Sequence, residues 1–441
     1  MSESRSGKRL ERGMCELYQH DPEQADALVF GRKANANRRG FLKGLGLASM
    51  TAAVGAHIPF NEHMPAGLIP AALADETDGF VIEGKDGLVI LNDRPINAET
   101  PAHLLNDDVT PTNRHFVRNN GTVPRNAIDM DASDWTLTID GHVDKPLVLT
   151  LDDLKNKFEA VTLKLQLECG GNGRAAFNPP ARGNQWTLGA IGNAEWTGVR
   201  YKDILKAAGV KSSAVYTAHY SADGHLSGDP TKLPISRGVP LRKAMDEHSL
   251  IAFEMNGEPL NAMHGFPART ICPGWPGSTS QKWLNRIELR DQVHDGPKMT
   301  GTSYRVPKFP VAPGEKVSKE HFKIIESMPV KSLITSHQTG VSINASSLRV
   351  EGHAWAGDLA VAKMEVSIDF GATWISADLM LAPNPFSWQR WGVDINFPQA
   401  GYYEVWAKAT DVSGVSQPFA VNWNPKGYLN NSFHRISVTV V

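Results

Sequence analysis

The sequence is poor in cysteine, in charge of one sign and in long apolar runs, and each shortage excludes a class of protein. Three cysteines occur in 441 residues, Cys15, Cys169 and Cys272. They are too few for a disulfide framework, and none forms the Cys-x-x-Cys pair of a zinc site or a c-type haem attachment. No haem is expected in this chain, so any electrons it handles leave through another molecule. The 45 basic side chains are offset by 47 acidic ones, for a formal charge of −2. No basic stripe marks a nucleic acid or an anionic membrane as partner, although a small anion could still be held locally. The apolar run at residues 44–56 is Gly/Ala-rich and too short for a bilayer core of about 30 Å, so no membrane span is expected.

What is present begins with an address. Asn37-Arg38-Arg39-Gly40-Phe41-Leu42-Lys43, just before that run, is a twin-arginine signal pattern, and Ala72-Leu73-Ala74 offers small residues to a peptidase. Residues 1–74 therefore read as a signal peptide, and the product as a soluble periplasmic protein without Cys15. An ordinary amphipathic N-terminal helix is the plainer alternative. Twin-arginine export moves proteins already folded, commonly around a cofactor, so the leader itself points to one.

With 41% apolar and 21% charged residues, the chain has length for about two or three globular domains. Residues 75–330 mix short strand-like runs, such as 135–143, with helical stretches such as 201–208 and many Gly and Pro breaks, which indicates one α+β domain. After Ser332 the pattern alternates. Met364, Val366 and Ile368 are interleaved with Glu365, Ser367 and Asp369, and strands are expected at 348–354, 402–409 and 436–440. Residues 331–441 are thus expected to form an all-β, immunoglobulin-like sandwich.

The segment richest in chemistry is Leu167-Glu168-Cys169-Gly170-Gly171-Asn172-Gly173-Arg174. Glycines let a backbone approach something bulky, and a nearby arginine favours the thiolate that ligates soft metals. From spacing alone, a small buried cysteine in a tight turn reads equally well. Cys272, in Thr270-Ile271-Cys272-Pro273-Gly274, has no such setting and is expected in the core.

Cys169-Gly170-Gly171-Asn172, Phe253-Glu254-Met255-Asn256-Gly257-Glu258-Pro259-Leu260, His264-Gly265-Phe266-Pro267-Ala268-Arg269 and Lys282-Trp283-Leu284 together resemble, in order and spacing, the sulfite oxidase family of molybdopterin enzymes. Trp423-Asn424-Pro425-Lys426-Gly427 and Asn431-Ser432-Phe433-His434-Arg435 look like the end of that family's dimerisation domain, which implies a homodimer. The resemblance covers essentially the whole chain after residue 74.

Carried over residue by residue, it implies that Cys169 is the protein's thiolate ligand to the molybdenum of a molybdopterin cofactor. His264, Arg269 and Lys282 match positions that hold the pterin's phosphate and polar edge, with Asn119, Asn120, Ser280 and Asp223 as further members of that cradle. Arg118 matches the substrate arginine and Arg174 a second cation. Arg182 stands where relatives place a lysine, and Tyr304 falls about where the family keeps an active-site tyrosine. Many relatives have histidine at the position of Asn120, so no proton-relay role transfers to it, and Arg435 could reach the anion pocket from the C-terminal domain.

The implied activity is oxidation of sulfite to sulfate, with electrons passed to a separate cytochrome c. The nearest rival is the molybdenum subunit of a sulfane dehydrogenase in thiosulfate oxidation. Sulfoxide reduction on the same catalytic fold fits less well, because such enzymes lack the C-terminal sandwich. A non-catalytic assembly module is the rival from another class.

Overall fold

The computed structural model describes residues 80–441. The expected signal peptide, with Arg38, Arg39 and Cys15, lies outside them. The described residues form one unit. It is predominantly β among the described residues, and its longest α-helix has 8 residues. No helix there is long and apolar enough to cross a membrane.

The first half runs through β1 (Val117–Arg118), β2 (Leu137–Gly141), β3 (Ala160–Glu168), β4 (Ile191–Arg200), α1 (Tyr201–Ala208), β5 (Tyr216–Ser221), β6 (Leu250–Met255), β7 (Arg269–Ile271) and β8 (Leu284–Arg290). β3, β4 and β6 make the spine of one antiparallel sheet, with β7 added beside β6. β2 pairs parallel with β8, which pairs antiparallel with β5, in a second sheet. The expected strand at 135–143 is shorter than its alternation implied. Gly141 turns to φ 84° at one end, and at the other Trp135 Nε1 donates to Leu284 O at 2.9 Å.

Local sequence explains the helix. Tyr201, Ile204, Leu205 and Ala208 recur at i, i+3, i+4 and i+7 and are all fully buried, and Gly209 ends the helix at φ 68°. Burying Ile204 and Leu205 contributes about 1.5–3 kcal/mol each.

The second half is a two-sheet sandwich. β9 (Lys331–Ile334), β10 (Ser347–Trp355) and β12 (Gln389–Asn396) form one sheet, while β11 (Val361–Ser367), β13 (Gly401–Asp411) and β14 (His434–Val440) form the other. Val350, Val393 and Ile395 meet Met364, Val366, Val405 and Ile436 in a single core, as the alternation required.

The halves interlock where it matters for the site. β3 pairs with β4 from Ala160↔Val199 to Glu168↔Ile191, and the next residue is Cys169. At that point Ile191 packs with Leu333, Trp355 and Trp388 of the sandwich.

Candidate active site

Cys169 leaves the end of β3 into a tight turn. Its N–H donates to Ala190 O at 2.9 Å, and its carbonyl accepts from Asn172 N at 2.8 Å. The glycines of the turn are sterically required: a Cβ on Gly171 would lie 2.3 Å from Arg174 Nη2. Cys169 faces a cavity that is also lined by Arg118, Asn119, Asn120, Asp223, His264, Arg269, Ser280, Lys282 and Tyr304. Ten residues singled out from sequence thus converge on one hollow.

Two expectations fail. Arg182 is exposed and contributes nothing to the cavity wall. Arg174 is buried but turned away: Nε donates to Lys426 O at 3.1 Å, Nη1 to Asn184 O at 2.9 Å, and the guanidinium lies 5.0 Å from the Tyr428 ring centre. The cause is local. A short 3-10 helix, Arg174–Ala176, folds the side chain back over the glycine turn. Arg435 is also exposed, resting on Trp406 and Phe419 of the sandwich. Cys272 is fully buried in the core, as expected, and burial pushes its thiol up to about 12.

His264, Arg269, Ser280 and Lys282 are linked through backbone carbonyls. Arg269 Nη1 donates to His264 O at 3.0 Å and Nη2 to Ser280 O at 2.9 Å, with the guanidinium over Trp196. Lys282 Nζ donates to Met263 O at 2.7 Å and to Asn119 Oδ1. The glycine of the His-Gly pair is needed here, because Gly265 has φ 106° and a Cβ on it would come within 2.9 Å of Lys282 Cβ. Elsewhere in the hollow, β1 carries Arg118, whose Nη2 donates to Asn120 Oδ1 at 2.8 Å. The Tyr304 hydroxyl is 3.5 Å from both groups. Tyr304 itself sits at φ 51°, a conformation costing about 1–3 kcal/mol that persists only where neighbours impose it.

Sequence reasoning missed several members. Lys85 Nζ lies 2.6 Å from His264 Nε2 and donates to His115 O at 2.8 Å, while His115 lines the cavity. Lys298 Nζ donates to Asn120 Oδ1 at 2.6 Å, and the buried Arg237 guanidinium covers the Tyr304 ring at 4.8 Å. Only His115 had a local signal, as the immediate neighbour of Phe116-Val117-Arg118.

The electrostatics of the hollow are one-sided. Arg118, Arg269 and Lys282 line it, Lys85 stands against its His264, and Asp223 is the one carboxyl among its lining residues. A buried ion pair forms elsewhere, joining Lys331 to Glu168, while Lys243 pairs with the exposed Asp358. Burial, then the charge of Arg269, holds Lys282 well below its ordinary value, and burial pushes Lys85 down to about 7. Burial raises the Asp223 carboxyl. For Tyr304, burial alone would raise the phenol, but the charges of Arg118 and Lys298 outweigh it and leave it lowered. Desolvated cations without counter-charge are costly unless an anion joins them. His115 Nε2, Asn119 Nδ2, Arg269 Nε, Ser278 Oγ and Gln281 Oε1 are buried without any partner. Orphans this dense mark a wall built for a polar ligand. A soft sulfur donor, a phosphate-sized cationic end and unpaired donors and acceptors between them suit a molybdopterin group.

Family models agree with that chemistry. The oxidoreductase molybdopterin binding domain matches residues 120–298, and the Mo-co oxidoreductase dimerisation domain matches residues 322–441. This chain belongs to the sulfite oxidase family. The mitochondrial sulfite oxidase of Rattus norvegicus is 33% identical over 379 residues, covering 80% of this chain and 66% of that protein. The sulfite oxidase of Gallus gallus is 31% identical over 361 residues, with 79% and 77% covered. Among solved structures, the sulfane dehydrogenase SoxCD from Paracoccus pantotrophus aligns with a TM-score of 0.66 at 27% identity, covering 88% of this chain and 98% of that one. This member of the sulfite oxidase family thus spans about two-thirds of the mitochondrial relative's length. Cys169, His264, Arg269 and Lys282 fall inside the matched molybdopterin domain, whereas Arg118 and Tyr304 flank it.

Proposed function

We propose that this chain oxidises sulfite to sulfate and passes the electrons to an external cytochrome c. The observation that carries the reading is the convergence of Cys169, Arg118 and Tyr304 on one cavity whose cations have almost no carboxylate to answer them. Cys169 would ligate the molybdenum, with His264, Arg269, Lys282 and Asn119 holding the pterin end. When bound there, that group supplies two-electron oxygen-atom transfer.

The protein's own contribution is binding and orientation. Arg118 and Tyr304 line the same hollow as Cys169, where they can hold two sulfite oxygens and leave the sulfur lone pair free for oxygen transfer. Each preorganised donor of this kind contributes about 2.7–4 kcal/mol to the transition state. The overall change, sulfite plus water to sulfate, two protons and two electrons, demands a route for charge out of a desolvated site. A second chain takes the electrons one at a time, and a small interface suffices for such a transient encounter. The twin-arginine pattern supports a periplasmic setting, and the dimerisation-type sandwich supports a homodimer.

A second reading is favoured by one observation: SoxCD is covered over 98% of its length. On that reading the substrate is a protein-bound sulfane. One assay separates the two. Protein carrying about one molybdenum per chain should reduce cytochrome c or ferricyanide with free sulfite. Sulfite-inert, molybdenum-loaded protein that accepts a protein-bound sulfane defeats the first reading.

A further inference from the structure

Asn120 collects more donors on one oxygen than a neutral amide ordinarily does. Arg118 Nη2 donates to Oδ1 at 2.8 Å, Lys298 Nζ at 2.6 Å, and the Tyr304 hydroxyl stands at 3.5 Å. The lysine comes from 178 residues further along the chain. Its backbone is held at φ 67°, a region that L residues rarely occupy unless their surroundings impose it. Lys298 forms no ion pair with a carboxylate among the described residues. Asp223, the acid in this wall, instead accepts from Ser221 Oγ at 2.5 Å.

The chemistry of the residue at the centre matters. An aspartate there would neutralise the cations it aligned. Asn120 fixes the two side chains around one point and leaves both positive charges available to a ligand. Its oxygen occupies a place suited to an oxygen of an incoming oxyanion, reached by a guanidinium, an ammonium and a phenol at once. A single cation balances one negative charge, whereas Arg118 in the wall of the hollow and Lys298 hydrogen-bonded to Asn120 of that wall match two. Burial also lowers the lysine, so its charge is costly to maintain without an anion.

We propose that Lys298 is a second substrate-binding cation, which with Arg118 and Tyr304 makes the site prefer doubly charged over singly charged tetrahedral oxyanions. The proposal rests on the reading of this cavity as the sulfite site, and it names the charge state that the site selects.

The test compares anions of one shape and different charge. Sulfate and perchlorate are titrated calorimetrically into oxidised, molybdenum-loaded wild type, Lys298→Met, Lys298→Arg and Asn120→Asp, and kcat and KM for sulfite are measured on the same preparations. Lys298→Met should weaken sulfate binding and raise KM about tenfold or more, should change kcat far less, and should move perchlorate binding by less than about twofold. Lys298→Arg should restore most of the sulfate affinity. Asn120→Asp, which keeps the lysine but adds a carboxylate, should lose at least as much. It also keeps the proposal open to refutation if Lys298→Met fails to fold. Sulfate affinity within twofold of wild type in either Lys298→Met or Asn120→Asp overturns the proposal, as does an equal loss for perchlorate. Wild type that binds sulfate selectively through Lys298 yet does not turn over sulfite overturns the functional reading and leaves this one standing.

Discussion

Replacing Lys331 by methionine should destabilise the protein more than any surface change. Lys331 opens the first strand of the sandwich, and its Nζ lies 2.9 Å from Glu168 Oε1, each side chain being 2% exposed. Glu168 is the residue before Cys169. Its other oxygen accepts from Trp355 Nε1 at 2.8 Å, and Asn172 Nδ2 donates to Oε1 at 3.0 Å. Methionine keeps the stem and removes the charge, leaving a carboxylate out of water with two neutral donors. Breaking a buried pair in this way costs about 3–5 kcal/mol, and the two remaining donors argue for the lower end, about 3. At about 2.1 cal/mol/K per residue, a unit of this size shifts by about 1.3 °C per kcal/mol, so the melting midpoint should fall by about 4 °C or more. The double variant Glu168→Gln, Lys331→Met removes both charges together and should be markedly less destabilised than the sum of the singles. Calorimetry and urea titration on wild type, both singles and the double give that cycle. Because the pair anchors the turn bearing Cys169, molybdenum content should fall in Lys331→Met and partly recover in the double. A single variant within about 1 kcal/mol of wild type, or strict additivity, would show that the pair does not hold the turn.

Cys169→Ser should abolish molybdenum retention and turnover, while Cys272→Ala, altering a core thiol that does not line the cavity, should keep both; elemental analysis beside the sulfite assay decides. Arg118→Gln should raise KM for sulfite by about tenfold or more, since it removes a charged hydrogen-bond donor, whereas Arg182→Gln should leave KM within twofold because Arg182 faces solvent. A third prediction concerns acid. His115, His219 and His353 are held neutral by burial, each pushed down to about 3. With folded values below the unfolded 6.5, the unfolded chain binds the extra protons between pH 6.5 and 3, so stability falls as pH drops through that window. Each histidine contributes up to about 1.4 kcal/mol per pH unit there. Urea midpoints from pH 7 to 4.5 should decline, and His353→Leu should flatten the decline; an unchanged slope in that variant counts against it.

The parts of the molecule legible in sequence are those whose cause is local. α1 reads directly, because its buried positions obey one helical period and Gly209 stops it. The sandwich is equally legible, since β14 alternates between core and solvent and β11 does so through Met364, Glu365 and Val366, although a register shift leaves Ala362 and Lys363 both exposed and Ser367 is buried. Cys169, His264, Arg269 and Lys282 lie in short motifs with tight steric demands, such as the Gly171 and Gly265 contacts, so their placement was visible through resemblance. Arg174 and Arg182 show how nearness in sequence misleads. They lie 5 and 13 residues after Cys169 by position, yet one turn sends the first back over glycine and the other into solvent. Lys298, Arg237 and Lys85 carry the opposite lesson, because no local pattern distinguishes them from solvated cations. They belong to the site only because β-sheet closure brings distant segments together, and nothing short of the folded chain announces it.

That difference follows from what each group must do. A metal ligand and a phosphate cradle need backbone turns of fixed shape, and fixed shape leaves glycine and proline signatures. A cation that acts through charge needs only to reach the right point, and a long flexible side chain can do so from many backbone positions. The pterin side of this cavity is therefore motif-rich and the anion side is motif-poor. On the proposal for Lys298, discrimination among oxyanions accordingly resides in residues such as Lys298 and Asn120, which no short motif announces.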